Sequence, residues 1–117
     1  MIIRSQDKKM ILNFNCIDTL RVKSFRFEKN ENLIKYQILY YGVGEYDGFL
    51  ANYSTEEKAI KVLDMIQGAY VKCEALKSLS SGTMVEVSKI MDEEQSKEFI
   101  ELYKSNFVFE MPQDSEV

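Results

Sequence analysis

Apolar positions in the first half of the chain recur with the short period of strands. Met1–Arg4 and Met10–Asn15 flank the polar stretch Ser5-Gln6-Asp7-Lys8-Lys9, a pattern that predicts an opening β-hairpin. The stretch 17–28 is rich in Val, Phe and Leu, and the polar cluster Lys29-Asn30-Glu31-Asn32 turns it into Leu33–Tyr41. There the alternation sets Ile34, Tyr36, Ile38 and Tyr40 on one face and Leu33, Lys35, Gln37, Leu39 and Tyr41 on the other. Glycines at 42, 44 and 48 lead to a last strand of this series, Phe49–Tyr53. The reading is an antiparallel β-meander of about five strands.

At Ser54 the period changes. Ser54-Thr55-Glu56-Glu57 has the spacing of a capping box, in which the Ser54 hydroxyl accepts from the Glu57 amide. Apolar residues then fall at Ala59, Val62, Leu63, Ile66, Tyr70 and Cys73, predicting an amphipathic helix of about twenty residues. The run Ser78-Leu79-Ser80-Ser81-Gly82 ends it, and Thr83–Lys89 fits helix and strand equally well. A second helix is expected from about Asp92, as N-cap, through Phe99, Leu102 and Tyr103. A short strand, Phe107–Met111, follows and is closed by Pro112, the only proline. The expected fold is therefore α+β: an N-terminal antiparallel β-meander followed by two helices and a short C-terminal strand. Residues 1–112 form one domain in this reading, and 113–117 form a loose tail.

Composition narrows the function more by what it lacks. Among 117 residues, 45% are apolar, which suits a single core, and the net charge is −4, which argues against a nucleic-acid polymer as partner. There is no histidine, so the commonest proton-transfer residue and metal ligand is missing and no Ser–His or Cys–His pair exists. Cys16 and Cys73 lie far apart without CxxC spacing and read as buried free thiols. No glycine-rich phosphate loop is present, because Gly42-Val43-Gly44 lacks the third glycine and leads to a strand. The acidic pairs Glu56/Glu57, Glu93/Glu94 and Glu98/Glu101 read as solvated helix faces. No apolar run is long enough for a membrane span or a signal peptide, so the expected location is the cytoplasm. The expectation is a protein that binds and does no covalent chemistry, with no cofactor.

What could bind is concentrated early. All three arginines, Arg4, Arg21 and Arg26, fall in the first 26 residues, with Lys8, Lys9 and Lys23 nearby. If the strands form one meander, these cations share a sheet. A guanidinium grips phosphate oxygens in pairs and stacks on rings, and Phe25, Phe27 and Tyr36 are candidate ring partners. Leu39 and Tyr41, and Ile60 and Val71 on the first helix, widen the apolar surface beyond one core, predicting self-association as a dimer or higher homo-oligomer.

Three stretches carry a resemblance: Ile3-Arg4-Ser5-Gln6-Asp7-Lys8, then Tyr53–Ala59 leading into Val62-Leu63-Asp64-Met65-Ile66-Gln67, and Val108–Asp114. Together they resemble small proteins of phages and prophages, the first-described Thoeris anti-defence family of "sponges". The resemblance covers most of the chain except Lys77–Lys104. It implies an antiparallel sheet followed by helices, assembly as dimers or trimers of dimers, and capture without cleavage of cyclic nucleotide immune signals in the cytoplasm of an infected bacterial host. No pocket residue of the family aligns onto this chain, so the site is argued chemically. Arg4, Arg21 and Arg26 are expected to hold phosphates, Phe25 or Tyr103 to stack a base, and Asn106 to donate to a base edge or ribose. A competing reading is an acidic inhibitor that docks on a host defence enzyme.

Overall fold

The computed structural model describes residues 1–27, 30–42, 44, 47–78, 86, 89–105 and 107–117. The order of elements is β1 (Ile2–Arg4), β2 (Ile11–Asn13), a 3-10 turn (Phe14–Cys16), β3 (Ile17–Phe27), β4 (Asn30–Gly42), β5 (Asp47–Tyr53), α1 (Glu56–Lys77), α2 (Glu93–Ser105), β6 (Val108–Glu110) and a final 3-10 turn (Asp114–Glu116). The α+β class holds, with the two expected helices and the closing strand.

The single five-strand meander does not form. The described strands make two three-stranded sheets, ordered β2-β1-β6 and β3-β4-β5. Only the second is a meander; in the first, β6 returns from the far end of the chain to pair parallel with β1. The β1–β2 hairpin turns where expected. Ser5 N–H donates to the Met10 carbonyl at 2.9 Å, Lys8 takes the left-handed region at φ 64°, and the Ser5 hydroxyl accepts from the Met10 amide while donating to Asp7. Those bonds leave buried Ser5 satisfied and hold the Asp7 carboxyl below its ordinary pKa, the Ser5 hydroxyl being the largest cause.

The expected faces of β4 are the observed ones. Ile38 and Tyr40 are buried and Tyr36 packs against the core, opposite Ala51, Gly48 and Tyr53 of β5. A bulge between Ile38 and Leu39 lets both Leu50 and Ala51 reach the interior. Gly48 is required by its neighbour: a Cβ there would meet the Tyr40 hydroxyl at 2.8 Å, because the Tyr40 ring lies across it to reach the Met10 sulfur. Helix α1 covers this inner face with Ala59, Val62, Ile66 and Cys73, and its Tyr70 ring meets Phe14 at 4.9 Å. The expected stripe is thus the buried one. Its cap is one residue later than the capping-box pattern suggests: Thr55 accepts from the Lys58 amide, and no glutamate returns the bond. Cys73 is buried, whereas Cys16 is exposed on its 3-10 turn, contrary to the expectation of two buried thiols. Asp92 does cap α2, exchanging bonds with Gln95 in both directions. Most of Thr83–Lys89 lies outside the described residues.

The final segment is not loose. Ser54 is free of the cap role because its amide donates to the Asp114 carboxylate at 2.7 Å, and Lys58 Nζ donates to the Asp114 carbonyl at 2.8 Å. The chain end is therefore pinned across the junction of β5 and α1. The Ser54 amide, then its hydroxyl and Lys58, hold the Asp114 carboxyl below its usual value near 3.8. A depressed carboxyl stabilises the folded form above that value and loses the contribution as pH falls through the lower folded one. The tail should therefore release in acid. An amide NMR titration from about pH 5 to 2 should show Ser54 shifting before the core amides; an unchanged Ser54 amide would contradict the clasp.

Candidate functional site

The topology separates the cations that the sequence groups together. Arg4 stands on β1 directly opposite Glu110 of β6, with the two charged groups 3.8 Å apart, and it also donates to the Lys8 carbonyl. Lys8 shares the same carboxylate at 3.3 Å. Arg4 is thus engaged in a cross-strand pair in a different sheet from the other two arginines. Arg21 and Arg26 share β3 but stand five positions apart, an odd offset, and strand side chains alternate. The register confirms it. Arg26 stands opposite Ile34, in the series of the core face, whereas Arg21 stands opposite Leu39 on the other face. The three arginines do not converge on one phosphate.

The open face of β3–β4–β5 carries a different constellation. Residues opposite one another in a sheet share a face, so the rows across it are Thr19–Tyr41–Asp47, Arg21–Leu39–Phe49, Lys23–Gln37–Asn52 and Phe25–Lys35. The Arg21 guanidinium lies diagonally over the Tyr41 ring, 5.1 Å from its centroid. Phe25 and Phe49 are 46% and 50% exposed, so rings as well as cations face solvent. Among the described residues Arg21, Lys23 and Lys35 make no ion pair, unlike Arg4, Lys8 and Lys58. A net-negative chain therefore presents one cationic and aromatic face, with helix α1 on the opposite side of the sheet.

At the β5 margin this face runs into a cleft of about 330 Å³, lined by Ser5, Asp7, Met10, Tyr40, Phe49 and Asn52 among others. Gln6 builds its wall. The Gln6 amide N–H donates to the Leu50 carbonyl, and its side chain both accepts from the Asn52 amide and donates to the Asn52 carbonyl. The side chain copies the pairing of a strand and closes the edge of β5.

Of the expected stacking and donor residues, Phe25 is on the open face beside Arg21 and Lys23. The Tyr103 side chain and Asn106 lie outside the described residues. Lys35, Tyr41 and Phe49 were not singled out by sequence reasoning as site residues, and only the register reveals them. No three acidic or cysteine side chains cluster as metal ligands would among the described residues, and no described helix is long and apolar enough to cross a membrane. Comparison with protein-family models, with curated proteins and with solved structures finds no match to this chain, and the site stands on its own geometry.

Proposed function

We propose that the protein is a non-enzymatic binding protein that captures a small planar anion on the open face of β3–β4–β5. The fullest form of this reading follows the resemblance to the phage sponges: capture of a cyclic nucleotide immune signal, without cleavage, in the cytoplasm of an infected bacterial host. The observation that carries it is the Arg21 guanidinium lying over the Tyr41 ring, without an ion pair among the described residues, amid Lys23, Lys35, Phe25 and Phe49. A guanidinium resting over a ring is partly oriented by it, and its N–H groups suit two phosphate oxygens. Exposed phenylalanines supply surfaces on which a base stacks, each worth about 1–3 kcal/mol. With no histidine in the chain, holding the ligand is the chemistry these residues offer.

The test is titration with cyclic dinucleotides, cyclic trinucleotides and cyclic ADP-ribose isomers, followed by denaturation and analysis of the released ligand. Intact ligand should be recovered. Arg21→Ala should weaken binding about 10–100-fold, the loss of charge-assisted hydrogen bonds of roughly 1.5–3 kcal/mol. Its stability should change by no more than about 0.5 kcal/mol, because the side chain is exposed. Arg4→Ala should bind as the wild type does. Undiminished binding by Arg21→Ala, or recovery of an altered nucleotide, would refute the proposal. The inhibitor reading draws on the exposed apolar surface of Phe25, Leu33 and Phe49, and predicts no thermal shift with any nucleotide but capture of a host enzyme.

A further inference from the structure

The cleft beside β5 sits where the β1–β2 hairpin meets the margin of the other sheet, and its chemistry differs from that of the open face. Asp7 carries the only charge among its described lining residues, so the cleft is anionic. The donors of Ser5, Gln6 and Tyr40 are already spent within its wall. The Ser5 hydroxyl donates to Asp7 Oδ1 at 2.6 Å, the Gln6 side-chain amide donates to the Asn52 and Pro112 carbonyls, and the Tyr40 hydroxyl donates to the Met10 sulfur. Two acceptors are not spent. Asp7 Oδ1 takes the bonds from Ser5 and the Lys9 amide, while Oδ2 makes no hydrogen bond or ion pair among the described residues. Asn52 Oδ1 is buried and accepts no hydrogen bond. A buried acceptor without a donor costs free energy, and a partner from outside that brings an N–H relieves it.

Much of the remaining lining is apolar and includes Met10, Tyr40, Leu50 and Ala51. The volume of about 330 Å³ lies at the small end of the range for small-molecule sites and matches the share of about ten waters. The complement of such a cleft is a compact apolar body that carries N–H donors and a positive charge. We propose that it binds a small organic cation, an ammonium or amidinium on a flat apolar body. The cation donates to the Asp7 carboxylate and to Asn52 Oδ1, and its body packs against Met10 and the Tyr40 ring. This site goes beyond nucleotide capture and uses none of Arg21, Lys23, Lys35 or Phe25. Arg21 and Lys23 stand on β3, two strand spacings or about 10 Å from β5, a distance at which salt already screens them. A cation in the cleft and an anion on the open face are therefore compatible.

The probes are benzamidine, its neutral counterpart benzamide and its anionic counterpart benzoate, each titrated into the full chain and followed by calorimetry and amide chemical shifts. Benzamidine should bind at least about tenfold more tightly than benzamide, because charge-assisted donors are the difference between them. It should shift the amides of Gln6, Asp7, Leu50 and Asn52. Asp7→Asn, whose side-chain carbonyl can still accept from Ser5, should remove the preference for the cation. Asn52→Ala deletes the unpartnered oxygen and keeps both Gln6 bonds, which use the Asn52 backbone. That variant should be at least as stable as the wild type and bind benzamidine about fivefold less tightly. Benzamide or benzoate binding as well as benzamidine, shifts confined to the open face, or undiminished affinity in both variants would overturn the proposal. So would no binding of benzamidine at millimolar concentration. N-acetyl-arginine amide binding more tightly than benzamidine would assign the cleft to a protein side chain and overturn it as a small-molecule site.

Discussion

Gln6→Leu should lower stability by about 2–4 kcal/mol, from three side-chain hydrogen bonds each worth about 0.5–1.5 kcal/mol net. The replacement keeps the approximate volume of the side chain and removes only its hydrogen bonding. The Asn52 N–H and C=O on β5 and the Pro112 carbonyl near the chain end would all lose their Gln6 partner. Removing one side of a part-buried bond is costlier than never having it, because the remaining group stays away from water. At about 4 °C per kcal/mol for a domain of this size, the melting temperature should fall by about 10 °C. A urea midpoint displaced with an unchanged slope would attribute the loss to the folded clasp. A variant as stable as the wild type would show that water satisfies β5 equally well and that its edge is not sealed by Gln6.

That clasp marks the boundary of what the sequence makes legible. Local patterns sufficed for the elements. The 3.6-residue spacing of Ala59, Val62, Ile66 and Cys73 names the buried side of α1, and the alternation of Tyr36, Ile38 and Tyr40 names the core face of β4. Pairing partners carry no such signature. Ile3 and Phe109 lie side by side in the first sheet, yet a short apolar segment matches many others equally well. For the same reason a glutamine acting as a piece of strand, or an aspartate capturing a backbone amide sixty residues away, looks like ordinary loop polarity. The misplaced cap is a smaller matter: Ser54 and Thr55 are equivalent hydroxyl donors and acceptors, and the Asp114 contact decides between them.

The site follows the same division. That Arg21 and Arg26 cannot share a strand face is readable from their odd separation alone. That Arg4 belongs to another sheet is not, because it depends on β6 returning to β1. Tyr41 and Phe49 become neighbours of Arg21 only through the β3–β4–β5 register, and the bulge at Ile38/Leu39 is what sets Phe49 opposite Leu39. Arginine and aromatic content was therefore legible as a chemical possibility, and its placement was not.

Tyr53→Phe should cost about 0.5–1.5 kcal/mol at neutral pH, because the Pro112 carbonyl keeps its Gln6 donor, and should also remove a component of alkaline unfolding. Tyr53 is fully buried and its hydroxyl donates to the Pro112 carbonyl at 2.9 Å, so phenylalanine leaves that carbonyl without this donor in the interior. Burial first, and then the carboxylates of Asp114 and Glu116, push the Tyr53 pKa well above its ordinary value of 10. In the unfolded chain the phenol ionises near 10, whereas in the folded chain it keeps its proton. The unfolded state therefore binds fewer protons above that pH, and stability falls as pH rises toward the folded value. The contribution is complete below 10 and declines above it by up to about 1.4 kcal/mol per pH unit. Denaturant midpoints measured from about pH 9 to 11 should thus fall steeply in the wild type and more gently in Tyr53→Phe. Equal slopes would mean that the Tyr53 proton is not what ties β5 to the C-terminal segment. Asn52 and Phe49 on that strand border the open face, so the same hydroxyl would then have no part in keeping the face formed.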